Sequence, residues 1–102
     1  MPELEERFDE VMLSIYKRAK AECDYNASRF FQMLTKHGGV QTAKILLHSS
    51  GVSEGFVALW ERRRLDLTVE AHVLDASWSS LFSDEETTIA RNRLKEYGYD
   101  VA

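Results

Sequence analysis

Three histidines, a single cysteine and a run of three arginines are the side chains of this 102-residue sequence best equipped for chemistry. A zinc site on one helical face needs two imidazoles four apart, as in H-x-x-x-H or H-E-x-x-H, and His37, His48 and His72 never fall at that spacing. His37 stands directly before Gly38, and His48 directly before Ser49-Ser50-Gly51. Both positions read as helix C-termini, where a cation complements the dipole. Glu70 and His72 are two residues apart and so point to different sides of a helix, which argues against an acid–base pair. Cys23 becomes a nucleophile only if a base from elsewhere lowers its pKa; it continues an apolar series and reads as a buried, inert thiol. Gly38-Gly39 and Gly51 follow no strand and precede no G-K-[ST], so they form no phosphate loop. The expectation is therefore a chain that is not an enzyme, with no catalytic residue, metal or cofactor. Catalysis would require some of Cys23, His37, His48, His72 and Glu70 to converge in a cleft.

Trp60 followed by Arg62-Arg63-Arg64 is the most suggestive cluster, because guanidinium groups grip phosphate and an indole stacks on a base. The competing account makes Trp60 an inward residue beside Phe56 and the arginines a favourable helix end. Charge is unevenly distributed: residues 1–16 carry a net −4, residues 17–64 a net +5 and residues 65–102 a net −5. Lys36 and Lys44 extend the basic middle and join Arg62, Arg63 and Arg64 as candidate nucleic-acid contacts. A helix-turn-helix is conceivable across residues 26–48, but its second helix would offer only Gln41, Thr42, Lys44 and His48 outward.

The elements that must carry these residues are helical. Leu4, Phe8, Val11, Met12, Ile15, Tyr16, Ala19 and Cys23 recur at three- and four-residue spacing, which predicts a helix over about 3–23. Pro2 and the acidic cluster suit its start, and Lys17, Arg18 and Lys20 its end. Asn26 is the expected N-cap of a second helix with Ala27, Phe30, Phe31 and Leu34 on its apolar face, stopped at Gly38-Gly39. A third, apolar over a wide arc from Val40 to Leu47, should be central. Ser53 should cap a fourth, with Val52 and Val57 as a staple and Phe56, Leu59 and Trp60 inward. Leu65-Asp66-Leu67-Thr68 reads as a connector whose threonine caps a short fifth helix; Trp78, Leu81 and Phe82 form an apolar bridge. The last helix opens with the Ser83–Glu86 capping box, carries Ile89, Ala90, Leu94 and Tyr97, and stops at Gly98, with Tyr99 folding back on Leu94.

The fold class expected is all-α: a compact bundle of about six short helices forming one domain over residues 1–102. With 44% hydrophobic and 29% charged residues the chain resembles an ordinary globular protein. No apolar run approaches the roughly 20 residues of a membrane helix, and the acidic start lacks a secretory signal, so the cytoplasm is the expected compartment and no membrane is involved. From Tyr25 to Tyr99, Phe30-Phe31, Gly38-Gly39-Val40, Gly55-Phe56 with Leu59-Trp60, Leu65-Asp66-Leu67-Thr68-Val69-Glu70, Leu81-Phe82 and Tyr97-Gly98-Tyr99 follow one another. This pattern resembles a set of uncharacterised small all-helical bacterial proteins with no activity attached. The resemblance implies a bacterial or phage setting and assigns no site residue. The leading expectation of function is a helical protein-interaction or regulatory accessory module meeting a protein partner through aromatic residues such as Trp60 and Trp78. The alternative is a nucleic-acid-binding accessory protein using the basic middle segment. The first helix has apolar surface enough to close a monomer or to pair with its twin as a homodimer.

Overall fold

Phe8, Met12, Ile15 and Ala19 form one fully buried line along α1 (Pro2–Cys23), the element around which the rest is assembled in the computed structural model, which describes residues 2–100. Their three- and four-residue spacing gives a single apolar stripe, so the helix turns that stripe inward and leaves its charged faces in water. The stripe is thus covered within the chain. α2 (Ser28–His37) and α3 (Gly39–His48) follow, then α4 (Glu54–Glu61), a 3-10 turn at Leu65–Leu67, α5 (Val69–Val73), a 3-10 segment at Ala76–Leu81, and α6 (Asp84–Glu96). The described residues contain no strand, and the fold is all-α as the periodicity predicts. Their radius of gyration of 12.5 Å is that of one close-packed body.

The principal core joins α1 to α3, α5 and the 3-10 segment. Phe8 meets Trp78 and Phe82 edge to face, with centroids 5.4 and 5.3 Å apart, and Ala43, Leu47, Val73 and Ala90 complete the packing. Trp78 is therefore a core residue, only 8% exposed, and the aromatic anchor expected there is turned inward. α3 is central as expected, and it comes unusually close to α1. The Gly39 amide donates to the Asp9 carboxylate at 2.6 Å, and a Cβ on Gly39 would stand 2.7 Å from Asp9 Oδ1, so a side chain there has no room. Thr42, expected to face outward, is fully buried on this helix, and its hydroxyl has no hydrogen-bond partner among the described residues.

Local punctuation largely follows the sequence. Ser53 Oγ accepts from the Phe56 amide at 3.1 Å and Thr68 Oγ1 from the Ala71 amide at 3.2 Å. In the Ser83–Glu86 capping box each side chain accepts from the other residue's amide. Gly98 is left-handed (φ 85°), and the Tyr99 amide donates back to the Leu94 carbonyl at 2.8 Å, closing α6 with Tyr99 packed on the Leu94 cluster. α4 closes in the same way without a glycine: Arg63 takes the left-handed position (φ 59°), and the Arg64 amide reaches the Leu59 carbonyl at 2.8 Å.

One cap departs from expectation. Ala27, not Asn26, holds the N-cap position of α2 and, lacking a polar side chain, gives no side-chain bond, while the Asn26 Oδ1 accepts from the Tyr16 hydroxyl at 3.1 Å. α2 is also the helix least embedded in the molecule, with no fully buried residue despite its apolar face.

Candidate binding surface and cleft

The arginine triplet is divided by the fold. Arg62 turns back on its own chain, donating to the Cys23 carbonyl at 3.1 Å and the Ala58 carbonyl at 3.0 Å while its guanidinium lies over the Tyr25 ring. Arg64 bridges Glu22 at 2.9 Å and Asp66 at 3.1 Å, and Arg18 grips Glu22 from the other side. The hydrogen bonds from Arg18 and Arg64 hold the Glu22 carboxyl at about 2, and Arg64 likewise lowers Asp66. Only Arg63 of the three is exposed without a hydrogen bond or ion pair among the described residues. Lys44 is occupied as well, 2.8 Å from Glu86 Oε1 and over the Phe82 ring. Lys36 is exposed in the last turn of α2. The five basic candidates thus do not present five free cations: the ones at 44, 62 and 64 are neutralised or held by partners that sequence position alone does not reveal.

Trp60 is the converse. It was expected to face inward with Phe56 and Leu59; those two are buried, whereas Trp60 is 44% exposed. Its indole stands edge-on against Tyr97 with centroids 5.3 Å apart, and Tyr97 in turn stands edge-on against Phe56 at 5.0 Å. A tier of three rings therefore runs from the interior to the surface and fixes the outermost one. Phe31, 38% exposed, is held similarly by Tyr16 at 4.8 Å.

Two buried carboxylates organise the last turn of α3, and neither stood out as such in the sequence. Glu86 accepts from Lys44 at 2.8 Å, from His48 Nε2 at 2.8 Å and from the Ser83 amide at 2.9 Å. Burial opposes its charge, but these three donors outweigh burial and hold the carboxyl at about 2. Glu70 is paired with Arg93 at 3.1 Å, with side-chain exposures of only 3% and 11%. Arg93 also donates to the carbonyls of Leu46, Leu47 and Ser49 at 2.8–3.2 Å, capping α3 from a residue on α6. Burial raises the Glu70 carboxyl above the ordinary carboxylate range, with Arg93 and its own backbone amide opposing the rise.

A cleft of about 400 Å³ opens beneath the N-terminal half of α2. Ile15 of α1, Phe30 and Met33 of α2, and Phe56 and Leu59 of α4 make its walls apolar, and Glu70 of α5 is also among its lining residues. Arg29 and Glu54, both lining residues, face each other at 3.8 Å and are strongly exposed. Tyr25 borders the same space, its phenol raised first by burial and then by Glu54.

Cys23 is half-buried against Ala19, Leu59 and Leu67. His37 is exposed, His48 is on Glu86, and His72 Nδ1 lies 2.8 Å from the Thr68 carbonyl, so the three histidines are held apart. Among the described residues no three His, Cys, Asp or Glu side chains cluster as a metal site, and no helix is long and apolar enough to cross a membrane. No family model matches the chain, and neither a curated protein nor a solved structure matches it.

Proposed function

We propose that this chain is a small helical protein-interaction module, of the bacterial or phage setting that the resemblance implies, and that its partner docks over Trp60, Tyr97 and Arg63. In this reading the chain binds and does not catalyse. The observation that supports it is the exposed Trp60, braced by Tyr97 and Phe56. A large apolar ring kept at the surface in a fixed orientation loses little freedom when covered, which is the character of interface anchors. Arg63, three residues on, supplies an unpaired guanidinium beside it in sequence, and arginine is enriched at such contacts. Nucleic-acid binding by Lys36, Lys44 and Arg62 to Arg64 is the weaker reading, because the intramolecular partners of Lys44, Arg62 and Arg64 must be given up before phosphate is gained.

The test is affinity purification of the tagged chain from its native host, with and without nuclease, followed by binding measurements with the purified partner. A nuclease-resistant protein partner is expected, with affinity falling at least about 30-fold for Trp60→Ser, the size of an interface hot spot. Equal affinity for Trp60→Ser, with an unchanged circular dichroism spectrum, removes the proposal. Capture that nuclease abolishes, together with retention on DNA or RNA that weakens steeply with salt, transfers support to the nucleic-acid reading.

A further inference from the structure

We infer that the outer face of α1 is a self-association surface, covered by the α1 of a second copy of this chain lying antiparallel across a two-fold axis at Leu13. The buried line at Phe8, Met12, Ile15 and Ala19 is already used inside the chain. At about 100° per residue, Glu6, Glu10, Leu13, Lys17 and Lys20 fall within an arc of about 80° on the other side of the helix. The four charged residues are exposed and Leu13 is half-buried. Unlike Leu4 and Val11 of the same helix, Leu13 packs against none of the core clusters among the described residues. Tyr16, the next residue along that side, holds Phe31 of α2 at 4.8 Å, and Phe31 is 38% exposed, so the middle of the stripe has an apolar border.

Charge selects the occupant. Along the helix the stripe reads acid, acid, leucine, base, base. Laid antiparallel on itself about Leu13, it sets Glu6 opposite Lys20 and Glu10 opposite Lys17 of the second copy, and symmetry repeats both pairs. A parallel arrangement sets acid on acid and base on base. Within one chain these charges stay unmatched: the ion pairs of α1 join Arg7 to Glu3, and Arg18 and Arg64 to Glu22, and Glu6, Glu10, Lys17 and Lys20 take part in none among the described residues. Glu10 and Lys17 are seven residues apart, about two turns along the helix and beyond the three- or four-residue spacing at which side chains pair. The helix dipole does not account for them either, because it acts on the first and last turns and both lie further in. A patch that complements itself is what a two-fold interface requires.

The size of the surface sets the strength. One face of a 22-residue helix, with the Tyr16–Phe31 border, is smaller than the interface of a stable dimer, so association is weak, with a dissociation constant on the order of 100 μM at low salt. Exposed ion pairs add little affinity each, but they fix the direction in which the two helices run. The surface shares no residue with Trp60, Tyr97 and Arg63, so pairing of the chain and docking of a partner over Trp60 are separable.

The experiment is sedimentation equilibrium of the whole chain up to about 1 mM, at roughly 10 mM and 500 mM salt, with circular dichroism to show that each variant is folded. A monomer–dimer equilibrium is expected at low salt, at least about fivefold weaker at high salt. Leu13→Glu places two like charges together on the axis and should abolish the dimer. Lys17→Glu/Lys20→Glu alone and Glu6→Lys/Glu10→Lys alone should each be monomeric, whereas an equimolar mixture of the two should restore a dimer as strong as the wild type to within about threefold. Trp60→Ser should dimerise like the wild type, and it keeps the proposal testable if a charge variant does not fold. A chain still monomeric at about 1 mM and low salt overturns the assignment and leaves this face to a different partner. A dimer that survives Leu13→Glu, one that Trp60→Ser abolishes, or a mixture of the charge variants that stays monomeric also overturns it.

Discussion

Removing the Arg93 guanidinium is the most severe single perturbation that the ion-pair geometry predicts. Arg93→Met keeps much of the aliphatic stem but leaves Glu70, only 3% exposed, as a buried carboxylate without its counterion. It also leaves the Leu46, Leu47 and Ser49 carbonyls without their donor. Deleting one partner of a buried pair costs about 3–5 kcal/mol, a large share of the roughly 5–15 kcal/mol that holds a domain together. At roughly 4 °C per kcal/mol for a chain of this length, the melting temperature should fall by about 12–20 °C. The loss also has a pH signature. Burial already raises Glu70 above its unfolded value, so its protonated form favours folding below the unfolded pKa of 4.5, and that contribution is lost as pH rises through the folded pKa. Without Arg93 the folded pKa moves further up, which widens this window. The stability difference between Arg93→Met and the wild type should therefore be smaller at pH 5 than at pH 7, and adding Glu70→Met should recover part of the loss. Thermal denaturation followed by circular dichroism measures the first, and urea denaturation at both pH values the other two. A cost below about 1 kcal/mol, or a double variant no more stable than Arg93→Met, refutes the assignment of Arg93 as the neutralising group.

Two further outcomes follow from buried polar groups. Glu86 is held at about 2, so its contribution is complete above the unfolded pKa of 4.5 and disappears as pH falls from there through about 2; Glu86→Gln should flatten that acid limb of the stability profile in denaturant titrations. Thr42→Val replaces an unpartnered buried hydroxyl with a methyl group of similar size and should raise stability by about 1 kcal/mol; a loss of that size in a urea titration would mean that the hydroxyl is satisfied after all.

What the sequence made legible was local. The α1 stripe, the Ser53 and Thr68 caps, the Ser83–Glu86 box and the Gly98 stop each depend on residues within a few positions of one another, and each forms as expected. What remained hidden was distant. Arg93 lies 23 residues from Glu70 and 47 from Leu46, and Glu86 lies 42 from Lys44, so no helical spacing announces these contacts. The same reason explains Trp60 and Thr42. Helical periodicity assigned one to the interior and the other to the surface, but the neighbours that decide the matter, Tyr97 for Trp60 and the packed face of α3 for Thr42, come from the assembled fold. Asn26 stands one residue before the cap position, and its side chain meets Tyr16, ten residues earlier, a contact that no local capping pattern announces. The cleft was illegible for a related reason, since its lining comes from α1, α2, α3, α4 and α5 together.

The grip of Arg93 on the carbonyls ending α3 bears on the order of events during synthesis. A nascent chain that has emerged only as far as α5 has the Glu70 carboxylate but not its counterion, and the Lys44 ammonium but not Glu86. Until α6 clears the ribosome, the middle of the chain holds unmatched charge and an open helix end. Its final turn therefore acts as a latch, and ribosome-bound chains that stop short of it should remain protease-sensitive where the released protein resists.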